Sequence, residues 1–183
     1  MAVEINLENK VALVTGGTRG IGKAIVNELL QSGAKVFATG TNLTQVEKLN
    51  KKNKNSLLTY LQLDLSEPNN VRKFISKTLK VTDIDILVNN AGINKVSDAD
   101  IISDEEFLQI QEINVHGPFL LAQAFGKQML NKNWGRIINI SSIWGVVTRP
   151  GRLSYSASKM ALLGISKTLA VEWAKNNVLV NSV

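Results

Sequence analysis

The chain has 183 residues, 44% of them hydrophobic and 20% charged, with no cysteine and a single histidine. That composition suits one soluble globular domain with a sizeable core. It excludes disulfides, and a structural zinc site as well, because such sites draw mostly on Cys and His. The formal charge is +6, yet the lysines are scattered and only KLNKKNK (48–54) is dense. That run reads as a solvated helix end, not as the concentrated basic face of a nucleic-acid binder. No stretch reaches 18 uninterrupted apolar residues, so no membrane span is expected. The opening MAVEINLENK has no apolar core of the secretory kind, and a cytoplasmic location is the default.

Apolar runs rich in Val and Ile alternate with longer amphipathic stretches. VALVT (11–15) reads as a buried strand, followed by a helix over about 20–32. KVFAT (35–39) is a second strand, before a polar helix to about Asn53. LLTYLQL (57–63) is a third. Ser66 and Pro68 mark a helix start, and that helix runs to about Lys80. DILVN (85–89) is a fourth strand. One long helix is predicted over about 104–131, kinked at Pro118. GRIINIS (135–141) is a fifth strand, a helix over about 155–175 follows, and NVLVNSV (177–183) begins a sixth. Near-continuous apolar strands alternating with helices predict an α/β fold, a doubly wound parallel sheet covered on both faces. There is no linker or repeat, so residues 1–183 read as a single domain. In such sheets the working loops lie beyond the carboxyl ends of the strands. The loop after strand six is not in the sequence, which reads as incomplete at its carboxyl end.

TGGTRGIG (15–22) follows a strand and opens a helix. Gly16, Gly20 and Gly22 leave room for a pyrophosphate and for close helix–strand contact. The free N–H groups of the helix start then face the phosphates. The spacing GxxxGxG differs from the common GxGxxG. TGxxxGIG resembles the hallmark of the short-chain dehydrogenases and reductases, and the resemblance covers residues 10–183. Further markers follow in order: Asp64 after strand three, NNAG at 89–92, Asn114, Ser142, and YSASK at 155–159. The resemblance implies a dinucleotide-binding (Rossmann) fold whose cofactor touches Gly16, Thr18, Arg19, Gly20, Ile21 and Gly22. Thr41, Asp64, Leu65, Asn90, Ala91 and Gly92 complete the implied adenosine and ribose contacts, with Tyr155 and Lys159 at the nicotinamide end. Asp64 is implied to hold the adenine ring, Asn90 to line the adenosine side, and Asn89 to fix the strand-four turn. By its residues alone, Asp64 in DLSEP reads equally as a helix-capping carboxylate.

Tyr155 and Lys159 are four apart on a predicted helix and share a face. Carbonyl reduction needs a hydride and a proton for the developing alkoxide. A free phenol titrates near pH 10, and a neighbouring ammonium group favours the phenolate. With neither cysteine nor a histidine cluster to hold zinc, hydride chemistry here needs such a side-chain acid. The resemblance adds Ser142, whose hydroxyl would bind the substrate oxygen, with Ser141 the weaker candidate. It also adds Asn114, which would disturb its helix and hold a water linked to Lys159. Lys159 would further bind the nicotinamide ribose. His116 reads as structural, and Trp134, Trp144 and Trp173 as packing groups, Trp144 being close enough to Ser142 to line a substrate pocket.

NAD enzymes of this architecture carry an acid near the end of strand two. Here Gly40 takes that place, between Thr39 and Thr41. Arg19 in the glycine loop suits a 2′-phosphate, so NADP(H) is expected over NAD(H). The nearest family pattern is that of β-ketoacyl-acyl-carrier-protein reductases, with a reductase of a sugar, polyol or other secondary ketone as the alternative. INKVSDADIISDEEF (93–107) departs from the TRDNL-like motif of the former. Lys132 and Lys175 could form part of a basic patch for an acidic carrier. A non-catalytic cofactor-binding scaffold is the reading of another class. Apolar residues on several faces of LLAQAFGKQML and MALLGISKTLAVEWA point to a homo-oligomer, dimer or tetramer.

Overall fold

A computed structural model describes residues 5–183; the first four residues of the stretch read as lacking a signal lie outside the described residues. Six strands form one parallel sheet: β1 (Val11–Val14), β2 (Lys35–Gly40), β3 (Leu58–Gln62), β4 (Ile86–Asn89), β5 (Gly135–Asn139) and β6 (Val178–Ser182). Their order is β3-β2-β1-β4-β5-β6, that of the dinucleotide-binding fold. The order reverses between β1 and β4, and a crevice opens there at the carboxyl ends. The helices are α1 (Gly20–Gln31), α2 (Leu43–Lys52), α3 (Pro68–Leu79), α4 (Asp104–Gln111), α5 (Gly117–Lys132) and α6 (Leu153–Trp173). Most boundaries fall within two residues of the sequence expectation, the ordinary fraying of element ends.

Strand alternation divides the core. Leu13, Phe37, Leu87, Ile137, Val178 and Val180 face one side with α3, α5 and α6. Ala12, Val14, Val36, Ala38, Ile86 and Val88 face the other with α1. Helices flank the sheet on both faces, as expected, though not over its whole width. The second layer holds α1 and α2 over β1, β2 and β3, and among the described residues no helix lies over β5 and β6 on that side. Leu179 is 42% exposed there, while its neighbours Val178 and Val180 are buried against α6.

The single kinked helix at 104–131 is also corrected. It is two helices joined by a π turn over Glu112–His116, in which the Gly117 N–H reaches back five residues to the Glu112 carbonyl. Pro118 sits at the start of α5. It has no N–H to offer the Asn114 carbonyl four residues earlier, so an ordinary helical turn cannot close there. The widened turn, of a kind frequent at functional sites, is centred on Asn114. Lys48, Lys51, Lys52 and Lys54 are exposed at the end of α2, the solvated run expected. Among the described residues, no helix is long and apolar enough to cross a membrane.

Candidate active site

The crevice is a cleft of about 620 Å³, the size of a small-molecule site. Every cofactor residue chosen between Gly16 and Gly92 lines it. The glycine turn explains why. Gly16 and Gly20 have φ of +64° and +55°, values that favour glycine. A Cβ on Gly22 would lie 2.3 Å from the Gly16 carbonyl oxygen, whereas one on Gly20, which lines the cleft, would meet nothing within 4 Å. Helix α1 starts here with no side-chain cap and no acid in its first turn. Its free N–H groups and positive end therefore face the cleft, a setting that fits a pyrophosphate.

Asn90 does more than line this wall. Its Nδ2 donates to the carbonyls of Thr15 (2.8 Å) and Gly16 (3.3 Å), and so braces the turn. Asn89 turns the other way. It is buried, and its Nδ2 donates to Asn139 Oδ1 at 2.8 Å, tying β4 to β5 rather than holding the strand-four turn. Asp64 Oδ1 accepts from the Ser66 amide and hydroxyl at 2.9 and 2.7 Å. Asp64 therefore braces the turn that leads into α3 rather than capping the helix, and it borders the cleft as well. Its partner is Ser66, and the cap position of α3 itself belongs to Glu67.

At the rim, Arg19 and Thr41 are exposed, and the Arg19 side chain makes no hydrogen bond or ion pair among the described residues. Gly40 lies in the floor beside Thr18, and a Cβ there would be 2.8 Å from Thr18 Cγ2. The sequence reading missed the contributions of Thr15 and Thr39. Thr15 Oγ1 accepts from the amides of Asn90 and Ala91, and Thr39 Oγ1 from that of Gly16. Polar residues closing two otherwise apolar strands were the available signal. Leu63, Ile93 and Ile113 also line the cleft, and nothing in their local pattern marked them.

Tyr155 stands in the first turn of α6, which begins two residues earlier than the sequence suggested. Lys159, one turn on, is 5% exposed. Its Nζ donates to the Ile140 carbonyl at 2.8 Å and lies 5.6 Å from the Tyr155 ring centre. Burial pushes the Lys159 ammonium down to about 8, because a charge removed from water is disfavoured. Ser142 follows β5, and its Oγ accepts from the Trp144 amide at 3.2 Å, so its own proton is free for a substrate oxygen. Ser141 instead points its hydroxyl at the Lys159 carbonyl, 3.5 Å away.

Asn114 is 1% exposed. Its Oδ1 accepts from the Ile93 amide (2.9 Å), and its Nδ2 donates to the Ile93 carbonyl (2.9 Å) and to Ser158 Oγ (3.0 Å). Both amide protons are thus used within the protein. The other flagged residues are structural. His116 Nδ1 pairs with Glu112 at 2.6 Å, Trp134 lies between Lys10 and Arg136, and Trp173 packs on Gly126. Trp144 lies under Arg149. Lys132 is bound to Asp83 and Asp85 at 2.8 and 3.4 Å. Lys132 and Lys175 precede β5 and β6, so both sit at the amino end of a parallel sheet, opposite the cleft.

A glycine-walled cleft at the switch point, with a Tyr–Lys pair on the neighbouring helix, defines an NAD(P)-dependent oxidoreductase acting on C=O or CH–OH groups. The chain belongs to the short chain dehydrogenase family, whose profile matches residues 10–183. It is 38% identical to the 3-oxoacyl-[acyl-carrier-protein] reductase FabG of Aquifex aeolicus, over 99% of this chain and 75% of that one. The FabG of Escherichia coli is 37% identical over 98% and 73%. Among solved structures, a gluconate 5-dehydrogenase from Burkholderia cenocepacia in complex with NADP and tartrate superposes with a TM-score of 0.90 at 30% identity, covering 98% of this chain and 71% of that one. A short-chain dehydrogenase from Streptomyces avermitilis gives 0.88 at 30%, and this chain spans 64% of it.

Proposed function

We propose that this protein is an NADPH-dependent reductase of 3-oxoacyl groups borne on an acyl carrier. The observation that carries the reductase reading is the buried Lys159 ammonium set 5.6 Å from the ring of Tyr155 beside a glycine-walled cleft. Residues 16–22 and 90–92 would hold NADPH, which when bound would supply the hydride. Tyr155 gives its phenolic proton to the oxygen that becomes the alcohol. Ser142 donates to the same oxygen and fixes it against Tyr155. Lys159 keeps positive charge beside the phenol and reaches the ribose. Arg19 and Thr41 take the 2′-phosphate, with no acid at position 40 to repel it.

The 3-oxoacyl substrate rests on the relatives named above. A second reading, reduction of a sugar or polyol ketone, is favoured by the likeness to gluconate 5-dehydrogenase. NADPH consumption with a 3-oxoacyl thioester on acyl carrier protein, set against a sugar ketone, separates the two. Turnover of neither, with NADPH bound, supports the scaffold instead. We further read the chain as one cytoplasmic domain that assembles with copies of itself. Along α6, Ala157, Ala161, Gly164, Thr168 and Val171 recur at helical spacing and are exposed. Small residues in such a stripe let two helices approach closely.

A further inference from the structure

We propose that Ser158 is a positioning residue for the proton-transfer group, acting through Asn114 and the backbone of Tyr155. The inference rests on the oxidoreductase reading above. Ser158 is 0% exposed, and a buried hydroxyl must hydrogen-bond to be tolerated. Its Oγ accepts from Asn114 Nδ2 at 3.0 Å and donates to the Tyr155 carbonyl at 2.7 Å. The other two bonds of the Asn114 carboxamide grip Ile93, in the loop that walls the cleft after Gly92. One unbroken chain of hydrogen bonds therefore runs from the cofactor-side loop, through the π turn, to the first turn of α6.

Ser158 is the joint of that chain. It precedes Lys159 and follows Tyr155 by three residues, so it sits inside the helical turn whose two ends must be set against the cleft. Without its oxygen, an Asn114 proton is left buried and unpaired, and the π turn loses its side-chain tie to α6. The Tyr155 ring is then free to shift against whatever occupies the cleft. Reaction geometry is sensitive to displacements of this order.

The test compares Ser158→Ala, Ser158→Thr and Ser158→Cys. Cysteine matches serine in size but hydrogen-bonds weakly, so packing and bonding are separated. Expected for Ala and Cys alike is about a tenfold fall in kcat, with the NADPH dissociation constant unchanged within about twofold, while Thr recovers most of the rate. In an Asn114→Ala background, Ser158→Ala should add little, since residues in one network are not additive. A binding-free readout guards against a wrong substrate. The chain has two tyrosines, so in Tyr60→Phe the only tyrosine ring resonance belongs to Tyr155. That resonance should move in Ser158→Ala and Ser158→Cys and stay in Ser158→Thr. Cys behaving as wild type, or an unmoved resonance with only a lower Tm, overturns the inference. No turnover of any ketone by wild type refutes the reductase reading and leaves the resonance test in force.

Discussion

Lys159 Nζ is bound to the Ile140 carbonyl at 2.8 Å while it stands 5.6 Å from the centre of the Tyr155 ring. One neutral acceptor thus holds a buried ammonium beside a phenol, with no carboxylate paired to it among the described residues. The positive charge is left to act on Tyr155.

Removal of the phenolic proton is the most direct check on this arrangement. Tyr155→Phe should keep NADPH affinity and lower turnover by at least about a hundredfold, the low end of general-acid contributions. Near-native turnover in that variant would remove Tyr155 from the chemistry.

Arg19 should discriminate between cofactors. Only NADPH carries the 2′-phosphate, and the Arg19 guanidinium has no partner among the described residues. Arg19→Ala is expected to weaken NADPH binding far more than NADH binding, measured by titration of each. Equal losses would mean that the guanidinium does not read the phosphate.

Burial of Lys159 makes a signed statement about pH. An ordinary lysine titrates at 10.5 and this one at about 8. Between those values the unfolded chain binds the extra proton, so stability rises with pH. The stabilising contribution is complete above about 10.5 and is lost as pH falls through about 8. The difference in unfolding free energy between wild type and Lys159→Met, followed from pH 7 to 11, should close by an amount of the order of 3 kcal/mol as pH rises. A difference independent of pH in that window would contradict it.

Two glycines of one turn should fail differently. Gly22→Ala forces a methyl to 2.3 Å from the Gly16 oxygen and should cost about 1–3 kcal/mol of stability, as overpacking does. Gly20→Ala meets nothing and pays mainly for its left-handed φ, about 1–2 kcal/mol. It should still lose cofactor affinity, because Gly20 lines the cleft. Chemical denaturation beside cofactor titration distinguishes the two.

Assembly is tested at the exposed face of α6. Val171 is 83% exposed, and Val171→Arg should lower the mass seen in sedimentation without lowering Tm by more than a few degrees. A wild type that sediments as a monomer at micromolar concentration would dispose of the homo-oligomer.

Much of this was already written in the residues. Alternating apolar runs set the strands, because a strand buried on both faces must be apolar throughout. TGGTRGIG announced its turn because only glycine tolerates the positive φ and the close approach at Gly22. The Tyr155–Lys159 spacing placed two side chains on one face, since helical periodicity is a local property. Tertiary contact decided the rest. Nothing local said that Asn114 would sit in a π turn with its carboxamide shared between Ile93 and Ser158, 21 and 44 residues away. Nor did the sequence show that Asn89 ties two strands while Asn90 braces the glycine turn, because their partners lie 50 and 75 residues away. Lys132 looked like a free docking cation until Asp83 and Asp85, almost 50 residues earlier, closed on it. Periodicity and backbone conformation are encoded within a few residues, whereas the partner of a buried polar group is chosen by how distant segments pack.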